Sequence, residues 1–136
     1  MKVAILTAAE IVEMNQMVCL EGGNQHLLYD VGKVESALHS TFYPGVYPFQ
    51  HGGIARVAGA MSYYLANAHA FYDGNKRTAL IASLVFMEAN GWELLYPMNS
   101  DGTTSLSQTI NAAANAGSLS KEQIMDFYDR HKVQMA

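Results

Sequence analysis

Apolar positions recur three and four residues apart along most of the chain, which is the spacing of one buried face of an α-helix. The stretches with this spacing begin at Ile11, Val31, Ile54, Ala79 and Ile124. A further helix is predicted from about residue 102 to 116, and residues 92–96 favour a short extended segment. The pattern therefore predicts an all-α fold of about six helices.

Short polar motifs mark where several of these helices begin and end. Residues 7–10 (Thr-Ala-Ala-Glu) and 120–123 (Ser-Lys-Glu-Gln) have the spacing of a capping box, in which two side chains bond the first backbone amides of a helix. Asp30 is suited to cap a second helix. Gly22-Gly23 and Asn90-Gly91 are typical helix ends, because both pairs tolerate a left-handed backbone.

The chain is interpreted as one domain over residues 1–136, since its length is that of a single domain. Residues 79–87 are apolar almost all round, so we expect their helix at the centre of the bundle. Residues 43–51 hold two prolines, a glycine and three aromatic side chains, which favours a loop or a short hairpin.

Composition narrows the classes of partner. The chain has 12 acidic and 8 basic side chains, a formal charge of −4, which argues against a general nucleic-acid binder. Cys19 is the only cysteine, so an internal disulfide is excluded. No signal-peptide pattern and no apolar run of roughly 20 residues is present, so we expect a cytoplasmic protein without a membrane span.

Residues 74–77 combine features that favour phosphate binding. Gly74 and Asn75 stand at the start of an apolar helix, and Lys76 and Arg77 follow. A helix start presents unpaired backbone N–H groups and a partial positive charge, which together attract anions. Gly74 lets a ligand approach the backbone, Arg77 is suited to grip two phosphate oxygens, and Lys76 adds a point charge.

Two titratable residues precede this helix start. Asp73 would repel a phosphate unless a cation such as Mg²⁺ bridged them. His69, four residues earlier, carries an imidazole, which is the side chain most often used as a general base for a hydroxyl. Phe71, between them, is expected to anchor the loop in the core. Taken singly, each feature has a plain structural interpretation: a helix-capping histidine, a turn, a solvated pair of cations.

The whole segment resembles a known signature. His-x-Phe-x-Asp-x-Asn-Lys-Arg over residues 69–77, followed by Thr-Ala-Leu, is similar to the motif of the death-on-curing (Doc) branch of the Fic family. Residues 21–23, 35–38, 47–48 and 88–92 also look like Doc landmarks. The resemblance extends over about residues 5 to 130.

This resemblance implies a role for each residue of the motif. His69 matches the histidine that deprotonates the target hydroxyl, and Asp73 matches the acid that binds Mg²⁺. Gly74, Asn75 and Arg77 match the residues that hold the phosphates of the nucleotide, ATP. The implied fold is a Fic/Doc-like helical bundle.

Lys76 separates two activities within the family. Adenylylating Fic enzymes usually have glycine at this position, whereas the Doc branch has lysine and phosphorylates a threonine of elongation factor Tu, which stops translation. The resemblance therefore favours a toxin that phosphorylates a protein hydroxyl. Adenylylation remains an alternative. A catalytically inactive binding module is another, although the intact His69, Asp73, Asn75 and Arg77 argue against it.

The family also implies a regulatory partner, an antitoxin whose disordered C-terminal tail folds on the toxin as a helix. Val12 and Met17 lie off the buried stripe of the first helix, so we expect such a helix to cover them. Glu21-Gly22 is similar to the Glu-Gly of Fic autoinhibitory helices, but Met17 stands where a serine or threonine is expected. Leu28-Tyr29 stands where many Doc relatives have an arginine, a position that the resemblance links to target recognition.

Overall fold

Helices make up most of the chain. The computed structural model describes residues 3–23, 30–42, 51–96, 104–114 and 117–135. Within these residues the elements are α1 (Ala8–Glu21), α2 (Val31–Thr41), α3 (Ile54–Ala68), α4 (Asn75–Ala89), β1 (Trp92–Leu94), α5 (Ser105–Ala113), α6 (Lys121–His131) and β2 (Lys132–Gln134). The prediction of an all-α fold with about six helices is confirmed.

The predicted helix starts are also confirmed. Glu10 N–H donates to Thr7 Oγ1 (3.2 Å), and the Glu10 carboxylate accepts from Thr7 N–H (2.9 Å). Ser120 makes the same reciprocal pair at the start of α6. Asp30 Oδ1 accepts from Gly32 N–H at 2.9 Å and caps α2. Each cap satisfies backbone donors that have no partner inside the helix.

The centre of the bundle is α3 and not α4, which corrects the expectation from apolar content. α3 packs against α2, α4, α5 and α6. Small residues make this possible: a Cβ on Gly59 would lie 2.8 Å from Met125 Cα of α6. α4 packs against α1, α3, α5 and β1, but Ile81 and Val85 are each 37 % exposed. Several of the buried positions of α3 are small residues, among them Ala55, Ala58 and Ala66, which lets neighbouring helices pack against it.

The extended segment after α4 is part of a two-stranded sheet. β1 pairs antiparallel with β2 in the register Trp92 to Gln134 and Leu94 to Lys132. The extended segment was predicted, but its partner strand was not, since the pairing joins residues about forty positions apart. The ammonium of Lys132 also lies 5.6 Å from the centre of the Trp92 ring.

Other predictions concern boundaries. α5 is shorter than the predicted 102–116, because Thr104 Oγ1 accepts from Ser107 N–H (3.1 Å) and begins the helix there. Ala114 is already extended at the other end.

The predicted loop over 43–51, apart from residue 51, and the substitution at Leu28-Tyr29 lie outside the described residues. No helix in the described ranges combines the length and the apolar character that crossing a lipid bilayer requires.

Candidate active site

The loop between α3 and α4 begins with a strained histidine. His69 ends α3 in the left-handed region (φ 52°, ψ 42°), and within the described residues it is the one non-glycine residue with a positive φ. This conformation costs about 1 to 2 kcal/mol for a residue with a Cβ. Such strain concentrates at functional sites, where the surrounding structure holds it in place. The His69 side chain is exposed.

Three contacts hold the loop after His69. Phe71 is buried in the hydrophobic core, as predicted. The side chain of Asn75 bonds both backbone groups of Phe71, accepting from its N–H (3.2 Å) and donating to its carbonyl (3.0 Å). Asp30 N–H donates to the carbonyl of Ala70 at 2.9 Å. The amide of Asn75 thus shapes the loop itself, a role that the motif alone did not indicate.

The start of α4 has a glycine where the other motif-marked helices have a polar cap. Gly74 is left-handed (φ 77°) and provides no side-chain cap. Its carbonyl accepts the first intrahelical bond from Thr78 N–H at 2.8 Å. The amides of the first turn are the groups that remain for a ligand at such a start. The structure therefore gives α4 the helix terminus that the sequence predicted as an anion site.

A buried asparagine on α1 supports this helix start from behind. Asn15 is fully buried, and its Nδ2 donates to the carbonyl of Asp73 (2.8 Å) and to Thr78 Oγ1 (3.1 Å). A Cβ on Gly74 would lie 3.1 Å from that same Nδ2. Sequence reasoning overlooked Asn15. A polar residue between Ile11 and Val18 on the apolar stripe of α1 was the available signal.

The thiol of Cys19 lies in the same contact. Its Sγ is 3.6 Å from the carbonyl oxygen of Asp73. Burial raises the pKa of the Cys19 thiol, the Asp73 carboxylate raises it further, and Arg77 acts in the opposite direction. The thiol is therefore neutral near pH 7 and unsuited to act as a nucleophile. The charges of Asp73 and Arg77 therefore both act on the thiol of Cys19, which belongs to α1.

A cleft of about 210 Å³ lies in front of α4. It is lined by Ala66, His69, Tyr72, Asp73, Gly74, Asn75 and Lys76. His69 and Tyr72 also line a second cleft of about 270 Å³, together with Lys33 and Phe71. We call the first the phosphate cleft and the second the histidine cleft. The structure thus brings five predicted site residues together: His69, Asp73, Gly74, Asn75 and Lys76.

Arg77 is the predicted site residue that stands apart. It is exposed on the first turn of α4, and it is not among the residues that line the phosphate cleft. Lys76, one position earlier, does line it. Consecutive residues of a helix point about 100° apart, so the two cations face different directions.

Asp73 is suited to hold a metal ion only with help from a ligand. Its Oδ1 accepts from Gly74 N–H at 2.8 Å. Among the described residues, no group of three or more His, Cys, Asp or Glu side chains is placed to bind a metal ion. Mg²⁺ is commonly held by one or two carboxylates plus substrate phosphates and water. A single carboxylate beside a helix start that is predicted to bind anions fits that ion.

The site therefore combines a histidine, a carboxylate and a helix N-terminus, the groups used to transfer part of a nucleotide to a hydroxyl. The family model of the Fic/DOC family matches residues 5–87, from before α1 through most of α4. No curated protein matches this chain. Because the family match covers more than half of the chain and includes the entire loop, the chain belongs to the Fic/DOC family, a family of protein-modifying transferases.

Proposed function

We propose that this chain is a toxin of the Doc branch that phosphorylates a protein hydroxyl with ATP and Mg²⁺. A threonine of elongation factor Tu, in the cytoplasm, is the proposed target. The observation that carries the proposal is the single cleft that His69 shares with Asp73 and Lys76 at the start of α4. One small cleft is thus lined by a base, a carboxylate that is suited to bind a metal ion, and a cation that is suited to bind phosphate.

The proposed reaction uses His69 as the base. The imidazole accepts the proton of the target hydroxyl while the hydroxyl oxygen forms a bond to the γ-phosphorus of ATP. The bond between that phosphorus and the β–γ bridging oxygen breaks, and ADP leaves. The exposure of His69 between two clefts supports this role, since nucleophile and leaving group need opposite sides of the phosphorus.

The remaining residues bind and orient the nucleotide. The first-turn amides of α4 would hold phosphate oxygens, with Gly74 allowing close approach. Asp73 would hold Mg²⁺, which neutralises phosphate charge when it is bound. Arg77 would reach the phosphates from beside the cleft. Asn75 would contribute through its backbone amide, because its side chain bonds Phe71.

Lys76 supports phosphorylation over adenylylation. Its side chain lines the phosphate cleft, where a glycine would leave open space. A cation there fixes one phosphate group, and we propose that this turns the γ-phosphate toward His69. Adenylylation is the second candidate, since both reactions need the same base, metal ion and helix start.

Labelled ATP separates the two reactions. Purified elongation factor Tu and a bacterial lysate are each incubated with the protein and with ATP labelled at the γ- or the α-phosphate. We expect transfer of the γ-label only. Transfer of the α-label alone would establish adenylylation and contradict the role of Lys76.

A histidine variant tests the base. His69→Ala should lower the transfer rate by about a hundredfold or more, because a positioned general base contributes about that factor. His39→Ala, which changes an exposed histidine of α2, is the matched control and should keep the wild-type rate. Equal rates for wild type and His69→Ala would remove His69 from the mechanism.

The proposed antitoxin would bind over α1. Met17 and Leu20 lie three residues apart and are 60 % and 80 % exposed. Val12, which was expected to lie uncovered as well, packs partly buried against the core, so that expectation is wrong. Expression of the chain alone should arrest growth, and co-expression with an upstream neighbouring reading frame should restore it. Harmless expression of both wild type and His69→Ala would favour an inactive binding module.

A further inference from the structure

A groove between α2 and α3 has had no role so far. Its volume is about 300 Å³, and it is lined by Lys33, Ser36, Ala37 and Ser40 of α2 with Tyr64, Asn67 and Ala68 of α3. On α2 these are positions i, i+3, i+4 and i+7, which form one continuous stripe of a helix. The groove is therefore an ordered surface between two packed helices. We call it the α2–α3 groove.

Shared side chains connect this groove to the active site. Lys33 lines both the α2–α3 groove and the histidine cleft. His69 and Tyr72 in turn line both the histidine cleft and the phosphate cleft. The three spaces therefore follow one another, and the histidine cleft lies between the groove and the phosphate cleft. A ligand in the groove would reach His69 on the side away from the phosphates.

The chemistry of the groove fits an extended polypeptide. Ser36, Ser40, Ala37 and Ala68 are small, so a ligand backbone can approach closely, and the two hydroxyls both donate and accept hydrogen bonds. Residues 33–40 cover about 10 Å of helix, which matches roughly three residues of extended chain. A helical ligand would instead need pockets for large apolar side chains along its length.

The charge of the groove indicates which kind of polypeptide would bind there. Among the described residues, its lining side chains include the ammonium of Lys33 and no carboxylate. Lys33 is exposed and lies at the end nearest His69. Lys121 of α6 donates from Nζ to the hydroxyl of Tyr64 on α3 at 3.2 Å. It adds a second positive charge beside the groove. Both charges favour an acidic ligand.

We propose that the α2–α3 groove binds an extended segment of the target protein, with an acidic side chain next to the acceptor hydroxyl. Lys33 pairs with that acidic side chain and sets its distance from His69. The inference deepens the proposed function and rests on it for the identity of the reaction. The docking itself is a binding property that is measurable without chemistry.

Binding is tested with a library of fluorescent heptapeptides that have a central threonine and randomised flanking residues. The protein carries His69→Ala, so that no transfer interferes. We expect severalfold enrichment of aspartate and glutamate next to the threonine. Lys33→Glu should reverse the selection toward lysine and arginine. Absence of peptide binding, or the same acidic selection in Lys33→Glu, would overturn the proposal.

A blocking variant tests the location. Ser36→Trp places a large ring in the groove and should weaken binding of the selected peptide at least tenfold. Glu35→Trp introduces the same ring at the neighbouring exposed position, which is off the groove stripe, and should leave affinity within twofold of wild type. Equal affinities for the two variants, or selection of apolar helix-forming peptides, would contradict docking in this groove.

Steady-state kinetics in the otherwise wild-type protein separates this inference from the proposed function. Lys33→Ala should raise the KM for the protein target about tenfold and leave both kcat and the affinity for ATP unchanged. Absence of label transfer with peptide selection intact would refute the proposed chemistry and keep the groove. Label transfer with a wild-type KM in both Lys33→Ala and Ser36→Trp would refute the groove and keep the chemistry.

Discussion

Two kinds of helix start occur in this protein. α1 and α6 begin with capping boxes, in which Thr7 and Ser120 bond the amides of the first turn with their own side chains. α4 begins with Gly74, which has no side chain to offer. A capped start satisfies its donors with its own side chains and gains stability. A glycine start lacks a capping side chain, and we expect the first-turn amides of α4 to bind a ligand.

A glycine start alone does not make an anion site. α3 also begins at a glycine, Gly53, without a side-chain cap. In its first turn, however, Arg56 pairs with Glu122 (3.1 Å) and Asp126 (2.6 Å), so carboxylates already surround that terminus. At α4 two cations, Lys76 and Arg77, accompany the Asp73 carboxylate, which accepts from Gly74 N–H. The difference between the two glycine starts is therefore the charge around them.

The start of α4 obtains its stability from another helix, and breaking that support should have the largest effect. Asn15→Ala removes the two hydrogen bonds that Nδ2 donates and the contact that Oδ1 accepts from the Cys19 thiol. The Asp73 carbonyl and the Thr78 hydroxyl lose this donor. We expect the free energy of unfolding to fall by about 2 to 4 kcal/mol. ATP binding should weaken as well, because Asp73 and Gly74 lose their position. Urea denaturation and calorimetry measure the two effects.

The control for Asn15→Ala is a variant that removes a buried hydrogen bond elsewhere. Ser83→Ala deletes the contact between Ser83 Oγ and the Tyr128 hydroxyl (2.7 Å). It should also destabilise the fold but leave ATP affinity unchanged below its unfolding temperature. If both variants had wild-type ATP affinity, Asn15 would support the fold and not the site.

The charged residues at the start of α4 should affect binding and not stability. Arg77→Ala should weaken ATP binding by about 1.5 to 3 kcal/mol, the usual contribution of a hydrogen bond to a charged group. The dependence on Mg²⁺ should be retained. Asp73→Ala should remove most of that dependence. Calorimetric titration with and without Mg²⁺ decides this, and equal ATP affinity in both conditions for the wild type would leave Asp73 as a turn residue.

The capped starts should show the opposite behaviour. Thr7→Ala and Ser120→Ala should each lower the free energy of unfolding by about 1 kcal/mol, because each loses a cap. Neither should change the affinity for ATP. Denaturation and calorimetry on the same samples give both numbers. Weaker ATP binding in either variant would contradict the separation of capped starts from the ligand-binding start.

Local rules explain what the sequence could predict. Capping boxes and glycine ends depend on residues within one or two turns of each other, and the predicted ones appear as expected. The position of Phe71 in the core was predicted for the same reason: a large apolar side chain in a polar loop has one favourable environment.

Long-range packing explains what the sequence did not predict. Asn15 contacts Asp73 across 58 positions along the chain. The pairing of β1 with β2 joins residues about forty positions apart. The central position of α3 depends on small residues facing four other helices, which apolar content does not measure. The placement of Arg77 outside the phosphate cleft depends on the rotation of α4 about its axis.

Inorganic phosphate should stabilise the fold by the smallest amount. It tests the helix start of α4 alone, because it lacks the rest of the nucleotide. If phosphate binds with a dissociation constant of about 50 mM, the same concentration stabilises the fold by about 0.4 kcal/mol, a rise of roughly 1 to 3 °C in Tm. Chloride at matched ionic strength controls for screening. The rise should disappear in a double variant, Lys76→Ala with Arg77→Ala, and persist in Ser120→Ala. A rise that survives the double variant would place the anion at another terminus, and the contrast between the glycine start of α4 and the other helix starts would fail.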